Sequence, residues 1–271
     1  MTVKANSGAM AKTPEERDQI RSLVRGLDVI LAFSKHRPRM TLSQVAEATG
    51  LSRPTARRIL LTLEAHGYAR SDGKAFALTP RVLALGYAYL SSLNLTEIAQ
   101  PHLERVVEQT HEGCSLSTLD ETDVVYVTRV PTHRITSLTL ATGTRLPAHA
   151  TSMGHVLLAG LGEAELERYL AQAELRRLAP NTITRREDLV ARLELVRRQG
   201  YAIVDQELEQ GLRSVAAPVN DANGRVIAAV ALSTMTATTD AETFRTHHVN
   251  AILDAARQIS RELGADVSAL T

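Results

Sequence analysis

TLSQVAEATGLSRPTARRILLTLEAHGY, residues 41–68, is the stretch that decides the fold of the N-terminal part of this chain. Thr41, followed by Gln44 three positions on, has the pattern of a capping box, and Met40 and Val45 are spaced to staple across the helix start. Gly50 is a natural stop for that helix. Ser52 suits the cap of a second helix, where Pro54 falls in the first turn and removes no intrahelical donor. The four-residue turn Thr49-Gly50-Leu51-Ser52 between two short helices predicts a helix-turn-helix.

On a wheel of about 100° per residue, Ala56, Ile59, Leu60 and Leu63 gather on one face of the second helix. Pro54, Arg57, Arg58 and Leu61 take the opposite arc, with Arg53 and Thr55 on the flanks. An apolar back and forked donors on the front are what a recognition helix needs in a major groove. Arginine reaches a guanine edge or a phosphate, and Ser52 and Thr55 can bond phosphates or bases.

Working outward, a helix is expected from Ser22 to about Ser34, with Leu23, Leu27, Ile30 and Leu31 on one apolar stripe and Pro38 beyond its end. Downstream, Tyr68–Ser71 and Lys74–Leu78 flank Asp72-Gly73, which predicts a hairpin with a type I′ turn. Arg70 and Lys74 then sit on a basic wing. The candidate DNA contacts are Thr41, Ser52, Arg53, Pro54, Thr55, Arg57, Arg58, Arg70 and Lys74. Thr79 and Pro80 open a further helix whose Leu83, Tyr87 and Leu90 form a stripe without an obvious partner in so small a domain. A partner chain, or the chain's own second domain, must cover it.

Charge divides the chain in the same place. Residues 21–80 carry ten lysines and arginines against four acids, residues 1–20 balance, and the remainder is acidic by five within a net charge of +1. A basic module joined to an acidic one indicates that only the first meets a polyanion. No run of about 18 apolar residues exists to span a bilayer. The N-terminus lacks the apolar core of a secretory signal, so a cytoplasmic location is expected. The single cysteine, Cys114, permits no intrachain disulfide and reads as a small residue packed in a strand.

From Thr96 the texture changes to helices interleaved with strands. Strands are expected at Cys114–Leu119, Val124–Val130, Ile135–Leu140, Tyr201–Asp205, Arg213–Val219 and Val226–Ser233. Helices are expected near 97–111, 152–161, 163–172, 186–199 and 241–263. No Gly-rich phosphate loop follows a strand, so an α+β sensor-like sheet fits better than a doubly wound nucleotide fold. His149-Ala-Thr-Ser-Met-Gly154 enters a helix, and its start either offers free N–H groups to a carboxylate or is an ordinary cap. Asp205–Ser214 is a polar loop between apolar strands with no metal-ligand spacing, and the adjacent His247 and His248 diverge on a helix. No cofactor, metal or catalytic set is read from these residues.

Taken together, SLVRGLDVILAF, residues 41–68, LTPRVLALGYAYL, RLPAHATSMGHVLLAG and YAIVDQELEQGLRSVAAPV resemble the IclR-type regulators from about Arg21 to Leu263. Within that family the chain is most similar to regulators of β-ketoadipate pathway genes. Residues 1–20 are expected to form a flexible tail, and the resemblance implies a winged helix-turn-helix domain (21–79), a linker helix (80–95) and a GAF-like effector-binding and oligomerisation domain (96–271). It implies homodimers or dimers of dimers, operator DNA as one partner and a small carboxylic acid, aromatic or from ring cleavage, as the other. It points to Ser152, Met153, Asp205, Ser214 and Ser233 as the effector site, to which the helix-start reading adds Thr151; Arg129 and Arg134 either balance an acid or form surface salt bridges. A second anion beside a carboxylate is unfavourable, so Asp205 must bond a hydroxyl or backbone N–H groups, or lie outside the pocket. Two other readings remain: an enzyme with an appended DNA-binding segment, for which no nucleophile–base set appears, and an architectural DNA binder, which leaves the acidic second domain without a purpose.

Overall fold

A computed structural model of the chain describes residues 19–34, 36–85, 95–132 and 141–266. It divides into two compact units, Met1–Tyr89 and Leu90–Thr271. Among the described residues no helix is long and apolar enough to cross a membrane.

The first unit contains helices α1 (Arg21–Leu31), α2 (Leu42–Thr49) and α3 (Arg53–Ala65), then strands β1 (Ala69–Ser71) and β2 (Phe76–Leu78). The capping box forms: the Gln44 N–H donates to the Thr41 hydroxyl, and the Thr41 N–H donates to Gln44 Oε1 at 2.8 Å. Gly50 ends α2 with φ of 64°, a left-handed conformation open to glycine at no steric cost. Val29, Met40, Val45, Ala46, Ala56 and Leu60 make the core. Met40 exchanges backbone hydrogen bonds with Phe76, tying the segment before α2 to the wing by a single β-bridge.

The wing turn differs from the type I′ expectation. Ser71 pairs with Phe76 and the Asp72 N–H donates to the Ala75 carbonyl, so Gly73 and Lys74 are the central residues. Only Gly73 has positive φ, 87°, whereas type I′ needs it at both central positions. The Asp72 side chain sets this register by accepting from the N–H groups of Lys74 (2.9 Å) and Ala75 (2.8 Å). Of the apolar residues on α1, Val29 is the buried one; Leu23 (60% exposed), Leu27 and Leu31 (78%) face away from the unit's own core.

The second unit is a six-stranded antiparallel sheet of order β5-β4-β3-β8-β7-β6. Its strands are β3 (Cys114–Asp120), β4 (Asp123–Val130), β5 (Arg145–Pro147), β6 (Ala202–Asp205), β7 (Leu212–Asn220) and β8 (Val226–Met235). Alternation along β7 and β8 sends Val215, Ala217, Val230 and Leu232 to one face, against Leu103 and Val106 of α4 (Leu95–Thr110) and Ile252 and Ile259 of α8 (Val249–Glu262). Ala216, Ala229 and Ala231 point to the other face. There they join Met153 and Val156 of α5 (Ser152–Ala159), Leu166 of α6 (Glu163–Gln172) and Leu189 and Leu193 of α7 (Arg186–Gln199). This is the α+β layering expected. The expected final helix begins instead with a helical turn, Ala241–Thr243, and a π-helical turn, Phe244–His248, before α8. The expected strand Ile135–Leu140 lies outside the described residues.

Candidate nucleic-acid interface and ligand cavity

In the first unit Ser52 caps α3, accepting from the Thr55 N–H, and its hydroxyl lies 2.9 Å from that of Thr55. Ala56 and Leu60 anchor the helix in the core, which leaves Arg53, Pro54, Arg57 and Arg58 exposed along its outer face. Thr55 is half-buried, and Thr41 is exposed with its side chain engaged in the α2 cap. On the wing, Arg70 and Lys74 are both exposed. Asp72 at the wing turn is ion-paired to Arg39. The N–H groups of Ala75 and Lys74, and then Arg39, hold its carboxyl below the usual range. The wing's only acid is thereby engaged, and the exposed charge around it is positive.

The second unit holds a cavity of about 430 Å³ between the sheet, the start of α5 and the loop between β6 and β7. Ser214 pairs with Ser233 across β7 and β8, Ser115 pairs with Ala231, and on β4 Arg129 stands opposite Ser115. All five therefore share one sheet face, which forms the cavity floor with Tyr126. Burial pushes the Tyr126 phenol up to about 12, with Arg129 acting in the opposite sense.

Helix α5 begins at the cavity wall. The Thr151 hydroxyl accepts from the Gly154 N–H at 3.0 Å and its carbonyl from the His155 N–H at 2.9 Å. Helix geometry leaves the N–H groups of Ser152 and Met153 without an intrahelical acceptor, and both residues line the cavity. Leu208, Glu209 and Leu212 close the opposite side. Their loop is pinned from behind: Glu207, nearly fully buried, takes Arg192 at 2.9 Å, and its carbonyl accepts from Thr182. Burial raises the Glu207 carboxyl, against the opposing pull of Arg192.

Of the expected effector residues, Thr151, Ser152, Met153, Ser214 and Ser233 line this one cavity. Asp205 does not. Its carboxylate is bound by Arg213 at 2.8 and 3.1 Å, and neither residue is part of the cavity lining. His149 is buried with its ring against the Arg176 carbonyl at 3.0 Å and is also not part of the lining. Arg129 lines the cavity, and Arg134 lies outside the described residues. Ser115, Tyr126, Leu208 and Glu209 were not expected there. The serines at alternate positions of Cys114-Ser-Leu-Ser117 are the one available signal, since polar side chains at i and i+2 of a buried strand share a face. Cys114 is fully buried, and burial pushes its thiol far up.

A winged helix-turn-helix presenting arginines, carried on the same chain as an α+β unit with a ligand-sized cavity, defines a transcription regulator with a DNA-binding and a ligand-binding unit. Family models for the IclR helix-turn-helix domain and for the bacterial transcriptional regulator IclR C-terminal domain match residues 22–73 and 87–261, and the chain belongs to the IclR family. It is 42% identical over 247 residues to the Pca regulon regulatory protein of Pseudomonas putida, covering 91% of this chain and 85% of that one. The crystal structure of a Rhodococcus sp. RHA1 protein superposes with a TM-score of 0.81 at 50% identity, over 90% of this chain and 98% of that one. An IclR homolog from Microbacterium hydrocarbonoxydans, solved with 4-hydroxybenzoate, superposes with a TM-score of 0.79 at 28% identity, over 89% and 98%. The chain is a regulator rather than an enzyme.

Proposed function

We propose that this regulator binds a small carboxylic acid, aromatic or derived from ring cleavage, in the cavity of its second unit, and that the ligand controls operator binding by the first. The observation that carries this reading is the meeting of Ser152 and Met153, at the start of α5, with Ser115, Ser214 and Ser233 around one space. A carboxylate at the start of α5 gains charge-assisted bonds and the favourable end of the helix dipole. The serines then read ring hydroxyls, and Met153, Ala231 and Leu212 meet the apolar ring. The Pca designation of the P. putida relative and the 4-hydroxybenzoate in the M. hydrocarbonoxydans homolog support the ligand class.

In this reading residues 21–79 bind DNA, 80–95 link, and 96–271 bind effector and oligomerise. Arg57 and Arg58 reach base edges or phosphates, while Ser52, Arg53, Thr55, Arg70 and Lys74 secure the backbone. Two copies act together on a two-fold-related site. The outward-facing Leu23, Leu27 and Leu31 of α1, and the exposed Leu83, supply apolar surface for that pairing; Tyr87 and Leu90 lie outside the described residues. Calorimetry with 4-hydroxybenzoate, protocatechuate, muconate and β-ketoadipate tests the cavity. Binding of at least one acid, lost in Ser152→Leu, is the expected result. No binding by any, or binding untouched by Ser152→Leu, overturns it.

A further inference from the structure

We propose that Ser117, which does not line the cavity, is a positioning residue for effector selection that acts through Met153, which does; this rests on the reading of the cavity given above. Ser117 is fully buried on β3, on the sheet face that meets α5. In register it stands between Tyr126 of β4 and Ala229 of β8. Both of these pack with Met153 in one apolar cluster. A hydroxyl in such a layer is costly when unpaired, and an alanine, as at the neighbouring positions 229 and 231, satisfies the packing without it.

The Ser117 hydroxyl donates to the Met153 sulfur at 3.0 Å. Methionine is unbranched, with several rotatable bonds and a soft thioether, so an unfastened methionine adapts its shape to whatever space adjoins it. Here the adjoining space is the cavity. Fastening the sulfur fixes the torsions of Met153 in the first turn of α5, beside Ser152, and gives the cavity wall one shape. Without the hydroxyl, Met153 exchanges among rotamers, some of which intrude on the volume open to an aromatic ring.

The test compares full-length wild type, Ser117→Ala, Met153→Leu and the double variant. With methyl-¹³C-labelled methionine the chain gives five signals, and Met153→Leu assigns the one that matters. In the ligand-free protein Ser117→Ala shifts the Met153 methyl resonance and leaves that of Met40, in the other unit, in place. Ser117→Ala weakens 4-hydroxybenzoate binding about threefold to tenfold, the size of one hydrogen bond. It also changes the preference between 4-hydroxybenzoate and protocatechuate. In the Met153→Leu background the same change weakens binding by less than about twofold, because the coupled partner is gone. An unmoved Met153 resonance, or an equal loss of affinity in both backgrounds, overturns the proposal. If wild type binds none of 4-hydroxybenzoate, protocatechuate, muconate and β-ketoadipate, the effector reading fails while the methyl spectrum still decides whether Ser117 holds Met153.

Discussion

Gly154 and Ala148 approach so closely that a Cβ at position 154 would lie 2.0 Å from the Ala148 carbonyl oxygen. The backbone of the Ala148–Ala150 turn occupies the place of a side chain, and this seats the first turn of α5 at the cavity wall. Gly154→Ala forces the two segments apart. Overpacking against backbone predicts a loss of about 1–3 kcal/mol or more in thermal or denaturant unfolding. Effector affinity should fall with it, since Ser152 and Met153 move with the helix. A Gly154→Ala protein of wild-type stability contradicts this packing.

Arg57 and Arg58 stand opposite Ala56 and Leu60 on α3, exposed while the apolar face is fixed in the core. Replacing both with alanine should abolish operator binding in a gel-shift assay and leave effector binding in the other unit intact. Replacing Arg70 or Lys74 should weaken binding across all sequences and reduce the salt slope by about one per charge removed. Undiminished operator affinity in the double-arginine variant contradicts the assignment of α3.

His155 sits fully buried in α5, its Nε2 2.7 Å from the His149 carbonyl, and burial pushes its pKa down to about 4. An exposed histidine titrates near 6.5, so between these values the unfolded chain holds a proton that the folded chain does not. Stability from this group therefore falls as pH falls through that window, by roughly 3 kcal/mol in full. Glu207 acts in the opposite sense: burial raises its carboxyl, so stability from it falls as pH rises above 4.5. His155→Gln should thus show a flatter loss of thermal stability between pH 6.5 and 4 than wild type. Equal slopes would place the pH dependence elsewhere.

Leu27 and Leu31 face outward on α1 while Val29 holds the helix to its core. Changing both leucines to glutamate should lower the sedimenting mass without unfolding either unit. An unchanged mass moves the pairing surface away from α1.

Local chemistry made the first unit legible: Thr41 with Gln44, Gly50, and Ser52 with Pro54 each act within four residues, and the structure carries all three devices. The Asp72-Gly73 signal found the wing but misplaced its turn by one residue, because side-chain bonds from Asp72 outweigh the dipeptide preference. On α1 the periodicity marks an apolar face and says nothing of what covers it. The cavity was legible only in part. Thr151 to Met153 are contiguous, but Ser115, Ser214 and Ser233 meet through a register that nothing local specifies. Strand β5, three residues long, shows no alternation to read. Asp205 carried a suggestive charge, yet Arg213 eight positions on takes it.

The central claim is that occupancy of the cavity changes affinity for DNA. Fluorescence anisotropy with an operator duplex selected from random sequence measures this directly, titrated with and without saturating 4-hydroxybenzoate, protocatechuate, muconate or β-ketoadipate. At least one acid should change operator affinity by about fivefold or more, the lower end of ordinary allosteric coupling, and Ser152→Leu should remove the response while keeping ligand-free DNA binding. An operator affinity indifferent to all four acids, or an equal response in Ser152→Leu, would contradict the account.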